Sequence, residues 1–156
     1  MKERYYVAYG SNLNVGQMAY RCPDAEPIGV SEIKDYKLLF KGSKTGSYLT
    51  IERAEGRSVP VAIWKVSKQD ERNLDRYEGF PTFYFKRNMF LEVKGIGERE
   101  GQSEWHDAFV YIMTPHSPVG IPSSLYFKTC AHGYADFGFD IKPLVEAYEE
   151  SEVMAR

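Results

Sequence analysis

Two short segments of the sequence carry residue types that could bind or transform a small molecule. The first is Tyr9-Gly10-Ser11-Asn12, which follows a run of strand-forming residues that begins at Tyr5. A turn of this kind presents successive backbone N–H groups, and a helix N-terminus after it adds a positive dipole end. It can therefore bind a carboxylate, a phosphate or a developing oxyanion. As an isolated tripeptide, Gly-Ser-Asn is more often an ordinary turn that ends a strand.

The second segment is centred on Glu78, in the last turn of a helix predicted over residues 67–79. The helix macrodipole disfavours a negative charge at that end by about 0.3–1 kcal/mol. The same field, together with desolvation by Phe80, Pro81 and Phe83, would raise the pKa of the Glu78 carboxyl towards the range of a general base at neutral pH. Taken alone, a glutamate at the end of a helix is more often a solvated surface residue.

The remaining candidates for chemistry are weaker. Ser11 does not lie in a G-x-S-x-G elbow, and neither Cys22 nor Cys130 has a histidine that the sequence would pair with it, so nucleophilic catalysis is disfavoured. Both cysteines are predicted to be plain thiols, in the core or near the surface. The three histidines show none of the short spacings of zinc ligands, and no metal site is predicted. His106 is interpreted as structural or solvent-facing.

Length and composition limit the class of protein. A chain of 156 residues, 43% of them hydrophobic, predicts one domain over residues 1–156 that needs no disulfide or metal to fold. The formal charge of −2, from 20 basic and 22 acidic residues, provides no field that would attract nucleic acid or anionic lipid. The apolar stretch before Gly10 is too short for a signal peptide or a membrane span, so a cytoplasmic protein is expected.

Strand-like segments precede most of the helical ones. Because no regular β-α-β alternation is present, the pattern predicts an α+β domain whose sheet curls around a core or closes into a small barrel. A polar connection over 94–104 is expected to be mobile and to carry no catalysis. Helices are expected over 15–21, 67–79, 122–132 and 141–150, and strands over 5–9, 28–40, 48–51, 59–66, 83–93 and 105–113, separated by glycine-containing or charged turns.

Three ordered motifs together resemble the gamma-glutamylcyclotransferase superfamily, which includes AIG2-like proteins. Residues 6–14 resemble its Y-G-S-N loop, and Met18, Arg21 and Pro23 resemble the M-x-x-R-x-P stretch that follows. Residues 75–80, with Tyr84, resemble the segment that holds the catalytic glutamate of the family, and residues 122–126 resemble its late P-S-x-x-Y helix. The resemblance extends over residues 5–135, and its specificity comes from the order of the motifs.

The resemblance implies a small mixed β-barrel with flanking helices and a cyclisation reaction that releases 5-oxoproline from a gamma-glutamyl substrate. It implies that Glu78 is the acid/base, that the segment from Tyr9 to Asn12 grips the gamma-glutamyl group, and that Tyr126 contacts substrate. Tyr84 is a further substrate-binding candidate, although spacing after the glutamate differs among branches. The glutathione-specific branch begins with a different pattern, F-G-Y-G-S-L-x-W. Neither a cofactor nor a nucleic-acid or membrane partner is implied.

Two rival interpretations of the same residues remain open. A non-catalytic module could use the Gly10 turn to bind a small carboxylate or phosphate, although retention of Glu78 argues against it. An amidohydrolase could use Glu78 to activate water, because both reactions need the same base. The leaving amine, the pathway and the oligomeric state are left open by the sequence.

Overall fold

The computed structural model of the protein describes residues 4–43 and 46–155. Within these residues, short 3-10 turns occupy Ser11–Leu13 and Gly97–Arg99. The strands are β1 (Arg4–Ala8), β2 (Glu26–Ser43), β3 (Gly46–Val66), β4 (Tyr84–Gly95) and β5 (Ser103–Met113), and the helices are α1 (Val15–Arg21), α2 (Lys68–Glu78), α3 (Ser124–Asp136) and α4 (Lys142–Met154).

The five strands close into a barrel in the order β1-β3-β2-β4-β5, with β5 returning to β1. Strands β1 and β5 run parallel, and the other neighbours pair antiparallel. The α+β class and the mixed barrel with flanking helices are therefore confirmed. Buried side chains such as Val7, Phe40, Ile63 and Phe109 fill the core. This closure brings the end of β1, the starts of β3 and β4 and the end of β5 to the same mouth of the barrel.

The most extensive difference from the predicted elements lies in β3, which is continuous where two separate runs over 48–51 and 59–66 were expected. The charged stretch between those runs forms a bulge against β2, with a register shift between Lys34 and Tyr36. Asp35 and Gly56 both have positive φ, 63° and 80°. The Asp35 carboxylate accepts a hydrogen bond of 3.0 Å from the Gly56 N–H, which satisfies the donor where the ladder is interrupted.

Helix α2 begins and ends where its sequence predicts. The Ser67 side chain accepts from the Asp70 N–H while the Asp70 carboxylate accepts from the Ser67 N–H, which completes the capping box. Gly79 ends the helix in the left-handed conformation, at φ 64°. These two caps determine how far the helix runs, and so they place Glu78 as its last residue.

The terminal helices pack on the barrel and on the loop after β1. In α3, a Cβ added at Gly133 would lie 2.5 Å from the Leu13 Cβ and 2.6 Å from the Asn14 nitrogen, so this position needs glycine for the helix to approach the 3-10 turn. Within the described residues, none of the helices combines the length and apolar character needed to cross a membrane.

Candidate active site

A cavity of about 360 Å³ opens at the mouth of the barrel where β1 ends. Its size lies in the range of pockets that hold small ligands, about 300–1,000 Å³. Tyrosines supply most of its wall, and Glu78 is the carboxylate that lines it. The lining residues are Tyr6, Tyr9, Gly10, Ser11, Asn12, Tyr48, Leu49, Arg76, Tyr77, Glu78, Gly79, Phe83, Tyr84, Tyr111 and Tyr126.

The Gly10 turn forms one side of this cavity. The N–H groups of Leu13 and Asn14 donate to the carbonyls of Gly10 and Ser11, each at 3.0 Å, which closes the 3-10 turn. The N–H groups of residues 10–12 precede these two donors in the chain. The first N–H groups of a helical turn have no acceptor within the turn, so they can bind a ligand. The following α1 begins after Asn14, whose side chain accepts from the Gln17 N–H. The local structure therefore has the form of an anion-binding turn.

Three of the cavity tyrosines are anchored to backbone groups of β3 and β5. The Tyr9 hydroxyl donates to the Tyr111 carbonyl at 2.7 Å, and the Tyr84 hydroxyl donates to the Leu49 carbonyl at 2.7 Å. The Tyr126 hydroxyl instead accepts from the Leu49 N–H at 3.0 Å. Tyr9 and Tyr84 therefore keep oxygen lone pairs that can accept from a substrate ammonium, whereas Tyr126 keeps a proton that it can donate.

The pKa of Glu78 is raised to about 8, chiefly because burial penalises the charged carboxylate. The positive charge of Arg21 acts in the opposite direction and lowers it. The expectation that Phe80 and Pro81 desolvate this carboxyl is wrong, because both are exposed and neither lines the cavity. Of the three neighbours proposed from sequence, Phe83 alone lies in the cavity wall.

An ionic cluster contacts the cavity wall through Tyr111. The Tyr111 hydroxyl donates to the Asp75 carboxylate at 2.6 Å, and the Lys86 ammonium lies 2.7 Å from the same carboxylate. Lys86 also lies 2.7 Å from Glu71, which forms a two-pronged pair with Arg4 at 2.9 and 3.0 Å. The cluster joins α2 to β1, β4 and β5, so it holds the helix that carries Glu78 against the barrel.

All of the site residues predicted from the sequence meet in this single cavity: Tyr9, Gly10, Ser11, Asn12, Glu78, Tyr84 and Tyr126. The structure adds Tyr6, Tyr48 and Tyr111, which sequence reasoning missed. Tyr48 is near the start of β3, and Tyr111 is near the end of β5. Because β3 runs antiparallel to β1 and β5 runs parallel to it, the start of β3 and the end of β5 lie at the same mouth as the end of β1. The strand order and direction were therefore the signal that could have found these tyrosines.

The two cysteines and the three histidines do not line this cavity. Cys22 and Cys130 are free thiols, as predicted, and both lie in the core rather than near the surface; burial raises the pKa of each thiol to about 12. Each thiol therefore stays protonated at neutral pH, and neither is an activated nucleophile. The His106 ring lies against that of Tyr5 in a tilted arrangement, with ring centres 4.2 Å apart, and its Nε2 lies 3.1 Å from the Glu104 carboxylate. Across residues 4–43 and 46–155, no three His, Cys, Asp or Glu side chains cluster in a way that could hold a metal ion.

Comparison with known proteins agrees with this arrangement. A family model described as gamma-glutamyl cyclotransferase, AIG2-like, matches residues 6–128. The human gamma-glutamylcyclotransferase is 31% identical over 144 residues, which cover 88% of this chain and 73% of that protein. The bovine gamma-glutamylcyclotransferase is 30% identical over 145 residues, with the same shares covered. A solved structure of a gamma-glutamyl cyclotransferase superposes with a TM-score of 0.77 at 25% identity, over 98% of this chain and 88% of that one.

The chain belongs to the gamma-glutamyl cyclotransferase, AIG2-like family, a family of enzymes that act on gamma-glutamyl compounds. The resemblance inferred from three ordered motifs is thereby confirmed.

Proposed function

We propose that this protein cyclises the gamma-glutamyl group of a small gamma-glutamyl amide to 5-oxoproline and releases the attached amine or amino acid. Family membership supports the reaction class. The observation that carries the assignment is the half-buried Glu78 carboxyl, with a pKa of about 8, in a tyrosine-lined cavity that also includes the Gly10 turn. The roles given below to Glu78 and to the loop are part of the proposal.

The substrate supplies its own nucleophile. The α-amine of a gamma-glutamyl amide can reach the γ-carbonyl carbon and close a five-membered ring, so no protein nucleophile is needed. A cavity that holds the flexible chain folded would exploit the effective molarity of such intramolecular reactions, which reaches about 10⁵–10⁸ M. The new C–N bond forms at the γ-carbon, the bond to the leaving nitrogen breaks, and no water is consumed.

Glu78 would move the proton that this exchange requires. It takes a proton from the α-ammonium, which frees the amine lone pair for attack, and returns one to the leaving nitrogen. Its pKa of about 8 lies near that of an ordinary α-amino group, about 7.7–8.0, so the first transfer is nearly balanced in free energy. An ordinary carboxylate with a pKa near 4 would be a much weaker base for the same step.

The loop would hold the substrate while the ring closes. The N–H groups between Gly10 and Asn12 are suited to the substrate α-carboxylate or to the oxyanion that develops on the γ-carbonyl. The oxygens of Tyr9 and Tyr84 can accept from the α-ammonium, and Tyr126 can donate to a substrate oxygen. Several amines fit this scheme, because amino acids, simple amines and a carrier-linked amine all leave as a nitrogen that accepts one proton.

Product identity in labelled water tests the proposal against the two rivals. A panel of gamma-glutamyl amino acids and gamma-glutamylamines, incubated with the protein in ¹⁸O-water, should give unlabelled 5-oxoproline. An analogue that lacks the α-amine should bind without reacting. Labelled glutamate, or turnover of the amine-free analogue, would assign an amidohydrolase in which Glu78 activates water. Binding without any product from the panel would support a non-catalytic module.

A further inference from the structure

Arg21 is the last residue of α1, and it does not line the cavity wall. Its backbone is nevertheless hydrogen-bonded to the helix that carries Glu78: the Asn73 side-chain amide donates to the Arg21 carbonyl at 2.9 Å. Asn73 lies one turn of α2 before Tyr77. The end of α1 is thus held beside the last turn of α2, and the Arg21 side chain projects from this junction.

The guanidinium of Arg21 contacts two residues of the cavity wall. Its Nη1 donates to the Asn12 Oδ1 at 2.6 Å, and its Cζ lies 3.2 Å from the centre of the Tyr77 ring. The amide nitrogen of Asn12 in turn donates to the Tyr6 hydroxyl at 3.0 Å, so both polar atoms of that side chain are engaged. The Tyr77 hydroxyl lies 3.4 Å from the Ser11 Oγ, so Tyr77 also contacts the loop.

The same guanidinium is the positive charge that acts on Glu78. In the described part of the chain, the other titratable groups that interact electrostatically with this carboxyl are tyrosines of β1, the loop after it, α2, β4 and β5: Tyr6, Tyr9, Tyr77, Tyr84 and Tyr111. Burial raises the pKa of each of them, so all are neutral when Glu78 ionises. Arg76 also lines the cavity, but within the described part of the chain the electrostatic attraction on Glu78 comes from Arg21.

We propose that Arg21 is a positioning residue of this active site, with two separable tasks. Its planar guanidinium keeps the Asn12 amide of the loop and the Tyr77 ring of α2 in place. Its charge offsets part of the burial that opposes ionisation of Glu78. The inference rests on the proposed function for its kinetic consequences, but the contacts and the charge can be tested without turnover.

Two substitutions of Arg21 test the two tasks separately. Arg21→Lys keeps the charge and loses the planar fork and the ring contact, because an ammonium is a compact point charge. Arg21→Met removes the charge and keeps much of the apolar stem. Arg53→Met is the matched control, since Arg53 also lies over a tyrosine ring, that of Tyr36 at 5.5 Å, and Tyr36 does not line the cavity.

The first readout is a direct NMR titration of the Glu78 carboxyl, assigned by the loss of its resonance in Glu78→Gln. Removal of an opposite charge should raise the midpoint in Arg21→Met by about one pH unit, whereas Arg21→Lys and Arg53→Met should titrate like wild type. An unchanged midpoint in Arg21→Met, in a protein that melts cooperatively, would overturn the electrostatic task. This measurement needs no substrate, so it stands even where the panel yields no 5-oxoproline.

The second readout is steady-state kinetics across pH with a gamma-glutamyl substrate of the panel. In wild type kcat/KM should rise as pH passes about 8, and in Arg21→Met this rise should move to higher pH. Arg21→Lys should keep the wild-type midpoint but raise KM about five- to tenfold, because the Asn12 contact is lost. A wild-type KM in a folded Arg21→Lys would overturn the positioning task. Absence of 5-oxoproline from wild type would instead contradict the proposed function.

Discussion

The first and last turns of α2 carry the same residue type in opposite electrostatic settings. Glu71 and Glu78 are seven positions apart, which is about two helical turns, so both point towards the barrel from one face of the helix. Glu71 pairs with Arg4 and Lys86, and the bonds from Arg4 are the chief reason that its pKa is lowered. Glu78 lies among tyrosines, and burial raises its pKa to about 8.

The difference shows how one short helix combines an anchor and a candidate acid/base. The helix dipole favours a carboxylate in the first turn and disfavours one in the last, by about 0.3–1 kcal/mol at each end. The side-chain environments act in the same directions, since ion pairs lower the pKa of Glu71 and burial raises that of Glu78. Glu71 stabilises the fold because its charge is neutralised, and Glu78 is suited to proton transfer because burial outweighs the pull of Arg21.

The largest expected effect is on turnover. Glu78→Gln should reduce 5-oxoproline release by about 10²–10⁴-fold, the usual contribution of a general acid or base, because the amide cannot take up the proton. Substrate should still bind, since the side chain keeps nearly the same shape. Glu71→Gln is the matched control on the same helix, and its turnover should stay within a few fold of wild type at a temperature where both are folded.

A Glu78→Gln protein with near-normal turnover and an unchanged melting temperature would remove Glu78 from the mechanism. Equal losses in the two variants would show that the helix as a whole, rather than the last carboxylate, supports activity.

A smaller loss is expected when the loop is altered. A side chain added at Gly10 would point towards Leu49 and the Tyr126 hydroxyl, with contacts of 3.4 and 3.5 Å from the first carbon alone. Gly10→Val should therefore crowd the cavity and weaken substrate binding by about tenfold or more. Ser11→Ala removes only a hydroxyl whose 3.4 Å contact is with Tyr77, and it should weaken binding less. Calorimetric titration with the amine-free analogue measures both, and equal small effects would contradict a backbone cradle.

The parts of this site that depend on local sequence signals could be predicted. The capping box at Ser67 and Asp70 and the cap at Gly79 determine the ends of α2, and so they place Glu78. The loop motif marks the end of β1 in the same way. Both signals are contained within about a dozen residues, so no knowledge of the tertiary structure is needed to interpret them.

The parts that depend on barrel closure could not be predicted. Tyr48 and Tyr111 reach the cavity because β3 and β5 both flank β1, and strand order is set by contacts between distant segments. Of the three neighbours expected to desolvate Glu78, Phe80 and Pro81 are exposed, and Phe83 alone lines the cavity. The burial comes instead from the closed barrel mouth, a feature that no short stretch of sequence records.

Replacement of the two glutamates by glutamine should change the free energy of unfolding in opposite directions. The pKa of Glu78 rises from about 4.5 unfolded to about 8 folded, so its ionisation disfavours the native state increasingly as pH rises between these values. Glu78→Gln removes that cost. It should leave stability unchanged near pH 4 and increase it by roughly 2–4 kcal/mol above pH 8, because one unit of pKa corresponds to about 1.4 kcal/mol. Denaturant unfolding at pH 4, 7 and 9 measures the trend, and a destabilised variant at pH 9 would contradict it.

The smallest effect is expected at the other end of the helix. Because its folded pKa is lowered, Glu71 stabilises the protein above the unfolded value of about 4.5, and this contribution is lost as pH falls through the folded pKa. Glu71→Gln should therefore destabilise the protein by about 1 kcal/mol at pH 7, since Arg4 is substantially exposed and its pair is screened by water. The loss should shrink in 1 M salt and disappear in acid, where the wild-type carboxyl is protonated. A loss that persists unchanged at low pH would assign Glu71 a packing role in place of the ionic anchor.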